Sequence, residues 1–92
     1  MIPVLVTTVH RGVFFGFAQS REAIESREKV WLTNARNCIR WEASVGGFLG
    51  LANVGPTDAL VGVGKSVPEL LLHDITAVAV CTESATAVWV AK

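Results

Sequence analysis

The 92-residue chain has no surplus of charge of either sign, because eight basic and eight acidic residues cancel. Its isoelectric point lies near 6.7. Proteins that hold a duplex through its phosphates need a basic excess, so duplex DNA is not an expected partner. Cysteine is scarce: Cys38 and Cys81 are too few for the disulfide framework of a small secreted domain. There is no run of about eighteen apolar residues, so no membrane-spanning helix is expected. The opening Met1-Ile2-Pro3-Val4 lacks the basic segment and long apolar run of a secretory leader. These absences point to a cytoplasmic protein. The length leaves room for one core, so residues 1–92 are expected to form a single domain.

Groups that do chemistry are equally sparse. Hydrolysis or group transfer needs a nucleophile, a base and an orienter, or a metal, converging in space. The chain has two histidines, His10 and His73. His73 and Asp74 are adjacent, so in a strand they would point to opposite faces. Together with Cys38 and Cys81 the histidines make four potential zinc ligands, but none falls in a close pair. The segment GVGKS (62–66) ends like a phosphate loop, yet Ala59 stands where that pattern needs its first glycine. Pro68 also discourages the helix that should follow. No enzyme, no metal and no cofactor are expected; a backbone anion contact near Lys65 is the residue of that pattern.

What the chain does have is apolar material. Hydrophobic residues make up 51% and charged ones 17%, with a mean hydropathy of +0.47. That exceeds what a lone small domain hides easily, so a partner should cover part of it, most simply another copy of the chain.

Along the chain, residues 2–9 are β-branched and apolar and predict a strand. His10-Arg11-Gly12 reads as a turn and 13–18 as a second strand, the pair forming a hairpin. Gly16 inside it marks a bend where another backbone passes close. The charged stretch 19–29 is a solvated connector, with Ser20 placed to cap a short helical turn. Residues 30–41 alternate, putting Trp31, Thr33, Ala35, Asn37, Ile39 and Trp41 on one face of a long bent strand, with a break near Asn34–Asn37. Residues 46–54 predict a further strand, followed by a Gly55-Pro56-Thr57-Asp58 turn and a loop returning to the sheet. Residues 69–81 form the clearest strand region, divided by a kink at His73-Asp74. Thr82 suits an N-cap and Glu83 a first helical turn, which places Ala85, Val88 and Trp89 on one face of a C-terminal helix. A terminal strand is the alternative there.

Four runs, RGVFFG (11–16), ARNCIRW (35–41), LGLANVGPT (49–57) and DITAVAVCTESA (74–85), resemble a family of small uncharacterised proteins encoded by tailed bacteriophages. That resemblance covers nearly the whole chain and implies a phage origin. The order of elements, rather than residue identity, is similar to Sm-like small β-barrels. Arg11-Gly12 and Gly16 resemble their first turn and bent strand, and residues 30–35 their third strand. Leu72-His73-Asp74-Ile75 stands where Sm proteins carry an apolar residue, Arg, Gly and another apolar residue. The His-Asp substitution and the missing N-terminal helix weigh against Sm-type RNA binding. The fold class expected is therefore mainly β: a small Sm- or SH3-like barrel or a strongly bent antiparallel sheet, with a short C-terminal helix.

The candidate site is Arg36, Arg40, Trp31 and Trp41, with Lys65 and Thr57 from the glycine-rich stretch. Arginine reads phosphate with two hydrogen bonds, and indole faces stack on bases. Arg36 and Arg40, four apart, would share a face of a strand. The competing reading is that the tryptophans are core and the arginines rim. The expectation is a homo-oligomeric module that binds and sequesters a small nucleotide-like anion in the host cytoplasm, in a counter-defence role. An Sm-like RNA-binding ring and a structural or protein-interaction module are the alternatives.

Overall fold

The computed structural model describes residues 1–9, 12–25, 28–40, 47–56 and 62–92, with the side chains of 39, 40 and 47 outside that description. The β1 strand (Ile2–Thr8) and β2 (Val13–Ala18) form the expected antiparallel hairpin, closed by Thr8 N–H donating to the Gly12 carbonyl at 3.0 Å. The turn residues His10 and Arg11 lie outside the described residues. Ser20 caps the single-turn helix α1 (Arg21–Ile24), its hydroxyl accepting from the Ala23 N–H. The twelve-residue β3 (Lys29–Arg40) pairs with β2. After α2 (Gly47–Asn53), a broken edge runs back along β3 as β4 (Gly62–Val63) and β5 (Val67–His73). A one-residue corner leads into β6 (Ile75–Val80), which pairs with β1. The chain then enters α3 (Glu83–Ala91).

Strand order explains the shape. β6 lies beside β1 at one end of the sheet, and β5 lies beside β3 near the other. In a flat sheet four strand spacings, about 19 Å, would separate β5 from β6. Asp74 alone joins them, so the sheet must roll up on itself. Asp74 makes this corner with a left-handed φ of 55°, a conformation aspartate tolerates better than most residues. No hydrogen-bonded ladder joins β5 to β6. The molecule is thus a strongly bent, antiparallel six-stranded sheet with a C-terminal helix, and it does not close into a barrel.

Rolling gives the sheet two buried faces. Val4, Val6, Ala18, Val30, Leu32, Ala35 and Leu72 fill the inside of the curl. Leu5, Phe15, Cys38 and Cys81 face outward and are covered by Leu51 and Ala52 of α2 and Ala85 and Trp89 of α3. Val4, Leu5 and Val6 are therefore all buried, which an apolar run without alternation predicts for a strand covered on both sides. Gly16 lets β2 bend against β3, since a Cβ there would sit 2.9 Å from Leu32 Cβ. The pairing register of β2 with β3 slips at this point.

Two expectations are corrected here. Residues 47–53 are helical rather than a strand: Phe48, Leu51 and Ala52, spaced three and four apart, pack on the core while Leu49 stays 66% exposed. The break expected near Asn34–Asn37 falls at Asn34, which takes a left-handed φ of 48°, so the single face assigned to residues 31 through 41 does not hold. In the β5 register Asn34 stands opposite Pro68, which has no N–H to give the ladder. The break moves Ala35 to the inside of the curl, away from Trp31's face.

A candidate ligand groove on the outer face of the sheet

The same break brings Arg36 and Trp31 to one face. Phe15 pairs with Arg36 and Phe17 with Thr33 across β2 and β3, and directly opposed residues share a face. Trp31, Thr33 and Arg36 thus look outward together, where strict alternation separates the first two from the third. α3 covers only one end of this outer face. There Trp89, fully buried, stacks on Phe15 with ring centroids 5.1 Å apart and planes 3° from parallel. Phe17 meets Phe15 edge-on at 5.4 Å. Beyond Phe17 the face lies open.

Two adjoining clefts occupy this surface. One, about 330 Å³, is lined by Phe15, Phe17, Asn34, Arg36, Ser66 and Val90. The other, about 310 Å³, is lined by Met1, Phe17, Gln19, Trp31, Thr33 and Glu69. Phe17 lines both, so the two clefts adjoin at its ring and together are termed the groove. The Arg36 cation is in the lining of the first and an indole, 59% exposed, in the lining of the second.

Arg36 has a structural duty as well. Its Nε donates to the Gly64 carbonyl at 2.9 Å and its Nη1 to the Trp89 carbonyl at 2.7 Å. Trp89 lies in the last turn of α3, where carbonyls lack intrahelical donors and the helix dipole favours a cation. Arg36 therefore ties β3 to the β4–β5 link and to α3. Those two bonds engage Nε and Nη1, leaving the third nitrogen, Nη2, as the donor a ligand would meet.

Of the other expected site residues, Trp31 is at the surface rather than in the core, while Lys65 is exposed between Gly64 and Ser66, at the rim of the groove. Trp41, Thr57 and the Arg40 side chain lie outside the described residues. The β3–β4 register slips between Cys38 and Arg40, so spacing by four no longer assigns Arg36 and Arg40 to one face. Sequence reasoning missed Phe17, Asn34, Ser66 and Val90. Asn34 opposite Pro68 was the available signal, a residue tolerant of left-handed backbone set against one that cannot donate.

The two cysteines behave as small buried hydrophobes: burial pushes both thiols up from 9.0 to about 11. Among the described residues, no three His, Cys, Asp or Glu side chains gather to hold a metal ion. No helix among them is long and apolar enough to cross a membrane.

Fold and groove together define a small, mainly β antiparallel domain with an open outer face. Residues 1–89 match the model of a family described as a domain of unknown function (DUF6948), and the chain belongs to that family. A search of curated proteins and one of solved structures each found no match to the chain.

Proposed function

We propose that this protein is a non-enzymatic binding module that takes a small anionic, nucleotide-like ligand in the Arg36–Trp31 groove and works as a homo-oligomer. The observation that carries the reading is a guanidinium and an exposed indole in two adjoining clefts that share the Phe17 ring. A phosphate suits Arg36 Nη2 and the Gly64–Ser66 link with Lys65; a base suits the Trp31 face. Exposed Leu49, Val67 and Val90 support self-association, being large apolar side chains open to water on a small domain. The resemblance to phage-encoded proteins supports a role inside the infected cell, sequestering a nucleotide signal of host defence.

A second reading rests on strand order. The order β6-β1-β2-β3-β5, with a sharp corner between β5 and β6, resembles the order of elements in Sm-like small barrels. That resemblance supports an Sm-like ring that holds single-stranded RNA. Thermal unfolding of the purified protein with mono-, di- and cyclic nucleotides separates the two. A concentration-dependent rise in Tm that Arg36→Gln and Trp31→Ala abolish supports the groove. No shift with any nucleotide, alongside salt-sensitive retention of short RNA, overturns it in favour of the ring.

A further inference from the structure

β5 and β6 each have one long side with no hydrogen-bonded strand among the described residues. The two free sides differ. Two residues beyond β6, α2 takes the groups of Thr82, whose N–H donates to the Ala52 carbonyl at 3.0 Å and whose hydroxyl donates to the Asn53 carbonyl at 2.6 Å. β5 meets no such element among the described residues, and Val67, Pro68, Glu69 and His73 along it are exposed.

The direction of the β5 backbone can be read from its corner. Asp74 N–H donates to the Glu28 carbonyl at 2.9 Å, continuing the register that sets His73 against Lys29 and Leu72 against Val30. Bonded positions alternate along an antiparallel pair. Leu72 and Leu70 therefore turn their N–H and C=O groups to β3, while Val67, Glu69, Leu71 and His73 turn theirs outward. On the same outer face, Leu71 stands beside Trp31, Glu69 beside Thr33, and His73 beside Lys29.

We propose that two copies of this chain join through β5, antiparallel about a two-fold axis at Leu71, so that their sheets become one. Backbone alternation alone also allows an axis at Leu70, which would set Glu69 against the partner's Leu71 and Val67 against the partner's His73; the charges choose Leu71. Leu71 meets the partner's Leu71, while Glu69 meets the partner's His73 and His73 meets the partner's Glu69. Each pair can exchange two main-chain hydrogen bonds, about six in all. Charge agrees with geometry, because Glu69 arrives at an imidazole flanked by the Lys29 ammonium. Apolar surface agrees too: Trp31, Leu71 and their two counterparts form one stripe, covering an indole that is 59% exposed in the single chain. An isologous contact of this kind closes on itself as a dimer. The inference deepens the homo-oligomer part of the proposed function, and it sets the Trp31 ends of two grooves against each other across the axis.

The test reads assembly without ligand, so its failure is separate from failure of the groove as a binding site. Native mass spectrometry and sedimentation of the purified chain are expected to give a dimer, with the Glu69, Leu71 and His73 amides slow to exchange and faster on dilution. Glu69→Lys faces Lys29 of the partner with a like charge, twice per dimer. It should raise the dissociation constant about tenfold or more. Adding His73→Glu to that variant should restore the dimer. A wild-type monomer at tens of micromolar overturns the proposal, as does an odd-numbered ring, or a folded Glu69→Lys chain that dimerises as before. If Glu69→Lys does not fold, wild-type exchange decides alone: concentration-independent, fast exchange at the three amides overturns it.

Discussion

The two ends of the outer sheet face carry a tryptophan each, and they could hardly be treated more differently. At the α3 end, Trp89 is fully buried, stacked on Phe15, with its Nε1–H given to the Leu51 carbonyl at 3.1 Å. At the β5 end, Trp31 projects from the sheet with more than half its surface in water. The first indole has every polar need met and organises the packing of three elements. The second belongs to neither core cluster of the described residues and lines an open cleft with Met1, Phe17 and Thr33. A large aromatic side chain with more than half its surface in water is available for a ligand or a second subunit. Stability should therefore concentrate at one end and binding at the other.

Removing Trp89 should break that contrast most severely. Trp89→Ala empties the space between sheet and helices and strands the Leu51 carbonyl, so a loss of about 3–5 kcal/mol is expected in denaturant unfolding. High pH should weaken the same end without mutation. Cys38 and Cys81 share the Trp89 cluster, and both thiols have folded pKa values raised from 9.0 to about 11. For such a group the stabilisation is complete below the unfolded pKa and lost as pH climbs through the folded one. Unfolding free energy should accordingly fall between pH 9 and pH 11, more than in a Cys38→Ala, Cys81→Ala chain. An identical decline in both would sink the assignment to these thiols.

Arg36→Gln sits between the two ends and should touch both properties. It loses charge-assisted bonds to Gly64 and Trp89, a stability cost of about 2 kcal/mol, and it removes the groove's cation. Thr82→Ala should cost about 1 kcal/mol as a lost N-cap of α3, plus the bond to the Asn53 carbonyl. Trp31→Ala completes the series with the smallest expected change in monomer unfolding, within about 0.5 kcal/mol, and the largest loss of nucleotide-induced thermal shift. A Trp31→Ala chain that unfolds as readily as Trp89→Ala would erase the distinction between the two ends.

Local chemistry carried much of this fold. Val, Thr and Phe runs marked β1 and β2, Ser20 and Thr82 marked the starts of α1 and α3, and His73-Asp74 marked the corner. Each depends on neighbours within a few residues, which is why each was legible. The candidate site was legible only in part. Residue types pointed to Arg36 and Trp31, but alternation along 30–41 assigned them to opposite faces.

The amino-acid sequence by itself determined the strands of the hairpin, the capped terminal helix, the kink and the burial of Val4 to Val6, since propensity, capping and hydrophobic pattern act locally. Tertiary structure decided α2 and the groove. Seven glycine-rich residues are too short to hold a helix alone. Here the orphan carbonyls of its last turn are taken from outside: Leu51 by the Trp89 indole, Ala52 by the Thr82 N–H, and Asn53 by the Thr82 hydroxyl. The groove likewise depends on a break that Asn34 makes opposite Pro68, 34 residues further along the chain. A donor arriving from far along the chain leaves no periodicity in the residues it stabilises, and a missing donor on a neighbouring strand leaves none either.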